Sequence, residues 1–146
     1  IPSDWKLQII GDGKEKNNLE KFVEENQLKN RVIFHGTKNS YGILELLRKS
    51  KIFGFTSLKE GLPTVLVEAM FCSNAIISYN CNYGPSDIVK NNSGFLIDVN
   101  NKEDFIQKLE MLTNSDEKLE KMMENAFKEA QKWKQNEILK KWQEII

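Results

Sequence analysis

The chain has 146 residues, enough for one domain with its own core and too few for two of ordinary size. A composition of 40% hydrophobic and 29% charged residues is that of an ordinary folded protein and excludes disordered or fibrous classes. Lys plus Arg and Asp plus Glu both number 21, so no net field favours nucleic acid or an anionic membrane.

In chain order, Lys6-Leu7-Gln8-Ile9-Ile10 is a short apolar run stopped by Gly11-Asp12-Gly13, and it predicts a strand. A charged helix follows, with Leu19, Phe22 and Val23 on one face. Val32-Ile33-Phe34 predicts the next strand, ended by His35-Gly36, and Ile43, Leu44, Leu46 and Leu47 then keep helical spacing up to Ser50. Ile52-Phe53-Gly54-Phe55 is the most continuously apolar run, the pattern of a central parallel strand covered on both faces. It is far shorter than the roughly 20 residues that span a bilayer, so no transmembrane segment is expected. Pro63 to Phe71 predicts a helix with proline in its first turn. Ala75 to Ser78 predicts a strand, Pro85 to Val89 a short helix and Phe95 to Ile97 a last strand.

Strands alternating with helices at this spacing predict an α/β fold: a Rossmann-like parallel sheet with helices on both faces. From Asn101 the pattern changes to helices only. Phe105, Leu109 and Leu112 mark the first, and Leu119, Met122, Met123, Ala126 and Phe127 the second. Ile138, Leu139, Trp142, Ile145 and Ile146 mark the third, with Trp133 in the joint before it. The balanced charge of that last helix suits packing on the sheet or a partner domain better than lying on a membrane.

Two cysteines, Cys72 and Cys81, and the single His35 make neither a disulfide framework nor a four-ligand zinc site. Reduced thiols, a cytoplasmic location and no metal are expected. His35, at a strand end, reads as a structural, hydrogen-bonded imidazole. The opening Ile-Pro-Ser-Asp, without Met, predicts a chain cut from something longer.

The segment from Ser57 to Met70 carries the chemistry. It leaves a strand and opens a helix, and ligands of parallel sheets bind outside the carboxyl ends of the strands. Glu68 interrupts an otherwise apolar helix, so its carboxylate needs a salt bridge, hydrogen bonds or a ligand. Leaning toward the helix N-terminus, it is suited to accept hydrogen bonds from the two hydroxyls of a ribose. Glu60-Gly61-Leu62-Pro63-Thr64 sets free backbone amides at the positive end of that helix, where a diphosphate is stabilised.

Together these residues resemble the signature of glycosyltransferase family 4, which has two Rossmann-like domains in the GT-B arrangement. Glu60 and Glu68 match the family's pair of glutamates with seven residues between them, and Gly61, Leu62, Pro63, Ala69 and Met70 match their surroundings. The resemblance implies that Glu60 is catalytic: it holds the donor sugar's hydroxyls and supports the charge developed in transfer. It further implies that Glu68 binds the ribose and that Gly61, Leu62 and Thr64 bind the diphosphate through backbone groups. Gly11-Asp12-Gly13, Val32 to Gly36, the Tyr83-Gly84-Pro85-Ser86-Asp87-Ile88 turn, Gly94-Phe95-Leu96 and the tail around Trp133 also fall in the family's order. Thr37 and Lys38 would meet the nucleobase.

The resemblance identifies residues 1–146 as the nucleotide-sugar-binding C-terminal domain, lacking the N-terminal acceptor domain and the first strand of its own sheet. The donor would be a UDP-sugar or similar nucleotide sugar, no cofactor or metal would be needed, and transfer would retain the anomeric configuration. A glycan or lipid-linked acceptor, handled by the absent domain, fits surface polysaccharide or lipid-linked glycan synthesis at the inner face of a bacterial membrane. The family's donor domain also supplies an Arg and a Lys for the leaving diphosphate, and Lys14, Lys16 and Lys59 do not occupy those positions. Little or no transfer is therefore expected from this chain alone. Other readings fit the same architecture: another enzyme class such as a nucleotide-sugar 2-epimerase or a nucleotide-dependent phosphotransferase, and a non-catalytic scaffold domain.

Overall fold

The computed structural model describes residues 1–143, apart from the side chains of Lys141 and Trp142. In chain order the elements are β1 (Leu7–Ile9), α1 (Lys16–Glu25), β2 (Val32–Phe34), α2 (Ser40–Arg48), β3 (Ile52–Phe55), α3 (Thr64–Phe71) and β4 (Ala75–Tyr79). Then come α4 (Pro85–Ile88), β5 (Gly94–Ile97), α5 (Lys102–Thr113), α6 (Asp116–Ala130), a 3-10 turn (Gln131–Trp133) and α7 (Gln135–Gln143). Every strand pairing is parallel, as helical crossovers between strands require. The α/β alternation read from the sequence is therefore the architecture of the chain.

The strands make two sheets rather than the single one expected. β1 pairs with β2, Leu7 opposite Val32, and a separate sheet has the order β3-β4-β5. No ladder joins β1 to β3. A side-chain bridge does: Gln8 Nε2 donates to Ser50 Oγ at 3.3 Å, two residues before β3 begins.

The expected central strand is also corrected. β3, despite its apolar run, lies at an edge and is only partly covered, whereas all five residues of β4 are buried between partners on both sides. Alternation along β4 splits the core into two layers. Ile76 packs with Leu66, Ala69, Met70, Ile88 and Ala126, while Ala75, Ile77 and Tyr79 pack with Ile97, Leu112, Leu119 and Met122. Ser78 tolerates burial because its hydroxyl donates to the Tyr79 carbonyl at 2.8 Å. Full burial of a Leu, Ile or Met side chain contributes about 1.5–3 kcal/mol, so β4 and the helices beside it hold most of the stability.

Caps set the helix limits. Asn39 Oδ1 accepts from Gly42 N (2.9 Å) at the start of α2, and buried Asn74 Nδ2 donates to the Leu47 and Ser50 carbonyls (3.0 and 2.6 Å) at its end. α1 gains less from packing. Val23 is buried, but Leu19 and Phe22 of the expected apolar face are 45% and 58% exposed, because α1 has only a two-stranded sheet to cover. Trp133 packs on the first core layer. In α7, Ile138 and Leu139 remain largely exposed; Ile145 and Ile146, and the Trp142 side chain, lie outside the described residues.

Candidate functional site

The segment after β3 runs without regular structure from Thr56 to Pro63 and then enters α3. Pro63 is the residue before the helix rather than its first turn, and α3 begins at Thr64. No side chain caps this end. Leu66 N donates to the Pro63 carbonyl at 3.0 Å, and among the described residues the amides of Thr64 and Val65 meet no acceptor. Those free donors stand at the positive end of the helix macrodipole, an arrangement suited to an anion.

Glu68 lies one turn further along. Helical spacing puts it on the face of Thr64 and Val65, and its side chain leans toward them. It is half-buried, and among the described residues no lysine, arginine or hydrogen-bond donor pairs with it. The opposite side of α3, through Leu66, Ala69 and Met70, is sealed into the core. Cys72 follows one turn later; burial pushes its thiol pKa up, Arg48 opposes this and Glu68 reinforces it. Arg48 and Glu68 therefore both act on Cys72 without forming an ion pair with each other. Glu60 is half-buried in the loop; Gly61, Leu62 and Thr64 are exposed.

The backbone of this loop is held from behind by the turn that follows β4. Gly84 has φ +96°, and a Cβ there would lie 2.3 Å from Pro63 Cδ and 2.7 Å from the Gly61 carbonyl oxygen. The close approach of Gly84 to Gly61 and Pro63 escaped sequence reasoning, because a Gly-Pro pair does not say what the glycine abuts. Thr37 and Lys38 are exposed in the loop after β2. Gly11 N donates to the Gly36 carbonyl at 2.9 Å, so the first glycine loop and the Thr37–Lys38 loop are neighbours. Among the described residues no hydrogen bond or ion pair joins them to residues 60–68.

His35 Nε2 donates to Gln8 Oε1 at 2.9 Å, tying β2 to β1. Cys72 and Cys81 are free thiols. Among the described residues no three His, Cys, Asp or Glu side chains are grouped to hold a metal ion, and no helix is long and apolar enough to cross a membrane. A surface depression of about 490 Å³ lies between α1 and β2, lined in part by Lys21, Val23, Val32 and Phe34. It includes neither Thr37 and Lys38 nor any of residues 60–68, of which Gly61, Leu62 and Thr64 are exposed.

The profile of the family described as glycosyl transferases group 1 matches residues 2–129. The amylovoran biosynthesis glycosyltransferase AmsD of Erwinia amylovora is 32% identical over 142 residues, which is 97% of this chain and 40% of that protein. The crystal structure of an S. aureus TarM mutant with fondaparinux, α-GlcNAc-glycerol and UDP superposes with TM-score 0.83 at 28% identity, over 95% of this chain and 28% of that one. The structure described as the C-terminal domain of the group 1 glycosyl transferase LpcC from Francisella tularensis gives TM-score 0.78 at 27% identity, over 88% of this chain and 69% of that one. The chain thus spans well under half the length of AmsD and TarM, and its α/β fold with parallel sheets is that of GT-B glycosyltransferases. It belongs to the glycosyl transferases group 1 family.

Proposed function

We propose that this chain is the C-terminal, donor-binding half of a family 4 glycosyltransferase, which moves a sugar from a nucleoside diphosphate to an acceptor hydroxyl with retention. In this reading the amides of Gly61, Leu62 and Thr64 receive the diphosphate, and Glu68 grips the two ribose hydroxyls. Glu60 holds the donor sugar beside the bond that breaks, and Thr37 and Lys38 meet the base. Retention follows when the acceptor attacks from the face the phosphate leaves, with that phosphate taking the proton. In this reading the amides at the start of α3 take the charge of the diphosphate and no metal is needed. The exposed loop suits a site whose other wall, with the acceptor, comes from a second domain, and the chain alone would transfer little sugar. UDP in the TarM complex favours a UDP-sugar donor, and the name of AmsD favours a role in bacterial glycan biosynthesis; the same reading puts the acceptor, a glycan or lipid-linked glycan, at the inner face of the membrane.

One observation carries the reading: a half-buried, unpaired Glu68 carboxylate one turn behind two unpaired amides on the same helical face. Loss of hydrogen bonds to a charged acceptor costs about 1–3 kcal/mol. Titration calorimetry with UDP should therefore show Glu68→Ala binding about 5- to 150-fold more weakly than wild type. Equal affinities would return the chain to the scaffold reading.

A further inference from the structure

Tyr83 stands apart from the other exposed apolar residues of the chain. It is 79% exposed, the highest value among the large hydrophobic side chains left in solvent. Its backbone has φ +67°, the left-handed region that costs a side chain with a Cβ about 1–2 kcal/mol. Among the described residues the other non-glycine positions with positive φ are Gln27, Ser73, Asn91, Asn92 and Asn100, all small or polar, and Tyr83 is the one aromatic with such a backbone. Asparagine or glycine would fit the same turn with less strain. The strain is therefore a cost kept together with a ring left mostly in solvent, and outliers of this kind gather at ligand sites.

Its position says which ligand. Tyr83 directly precedes Gly84, whose Cα lies so close to Pro63 and Gly61 that no Cβ could be fitted. Tyr83 thus stands in the turn that abuts residues 61–63, next to the loop that carries Glu60. A pyranose presents hydroxyls at its rim and a face of C–H groups. Glu60 can serve the rim, and an aromatic plane is the complementary surface for the face, since binding sites for small molecules pair apolar or aromatic walls with a few directed polar groups.

We propose that Tyr83 is a sugar-recognising residue, its ring stacking on the C–H face of the hexose carried by the nucleotide. The inference rests on the donor-site reading above and adds to it a contact that the nucleotide part does not share. Dissociation constants of UDP, UDP-glucose and UDP-N-acetylglucosamine should be measured for the full-length protein carrying this chain, in wild type and in Tyr83→Ala, Tyr83→Asn and Tyr83→Phe. The ratio of nucleotide-sugar to UDP dissociation constants should rise about 3- to 10-fold in Tyr83→Ala and Tyr83→Asn and stay level in Tyr83→Phe. Tyr83→Asn should melt no lower than wild type, because asparagine accepts the left-handed backbone, so its loss of affinity reports the ring and not the turn. An unchanged ratio in the alanine and asparagine variants would overturn the proposal. Equal weakening of UDP and nucleotide sugar would overturn it too, by placing the ring on the nucleotide. If wild type bound no nucleotide at all, the donor-site reading would fall and this inference with it.

Discussion

At the scale of single residues, the candidate site depends on contacts between segments distant in sequence. Gly84 is the clearest case. A methyl group at this position would meet Pro63 Cδ at 2.3 Å and the Gly61 carbonyl oxygen at 2.7 Å, and φ +96° disfavours any side chain. Gly84→Ala should cost about 2–4 kcal/mol, combining overpacking with left-handed strain, and should weaken UDP binding as the 61–63 loop is displaced. Urea denaturation paired with UDP titration checks both; a variant of wild-type stability would mean that the turn yields freely. The spacing of Glu60 and Glu68 and the apolar residues around Glu68 are local patterns that a sequence displays directly. The buttress behind them is not such a pattern, since it depends on two loops meeting after two different strands.

Among the elements, the run Ile52 to Phe55 looked central and is an edge, while β4, interrupted by Ser78, is the strand enclosed on both faces. Apolar content marks burial; position in the sheet comes from pairing, which lies outside any local window. A second link of this kind joins α6 to the turn before β5. Glu129, 5% exposed, accepts from Asn91 Nδ2 and Lys132 Nζ, both at 2.7 Å, and Asn91 and Asn92 take left-handed backbone to make the turn. Burial alone would raise the pKa of Glu129, but the hydrogen bonds from Asn91 and Lys132 and the charges of Lys132 and Lys90 outweigh it and hold it below 4.5. A carboxyl lowered on folding contributes stability above its unfolded value and loses it as pH falls through the folded one. Stability should therefore decline below about pH 4.5, and Glu129→Gln should flatten that decline. Urea melts taken from about pH 6 to about pH 3 would show it; identical slopes for the two proteins would remove Glu129 from the account.

For the whole molecule, the alternation of strands and helices was readable throughout, and all five expected strands are present. Their division into two sheets was not, because nothing in a strand's own residues names its neighbour. The division has a thermodynamic side. The three-stranded sheet encloses β4 between two apolar layers, whereas around the two-stranded sheet β1 and β2 are only partly covered and α1 buries Val23 alone. Regions with so few buried side chains open at lower free energy than the rest. Amide hydrogen exchange should thus separate the chain into two cooperative units, residues 7–34 exchanging well before 75–97; uniform protection would contradict this. A nucleotide whose base rests on the first unit and whose ribose rests on the second would act as a rivet, coupling two independent openings into one and drawing their exchange rates together.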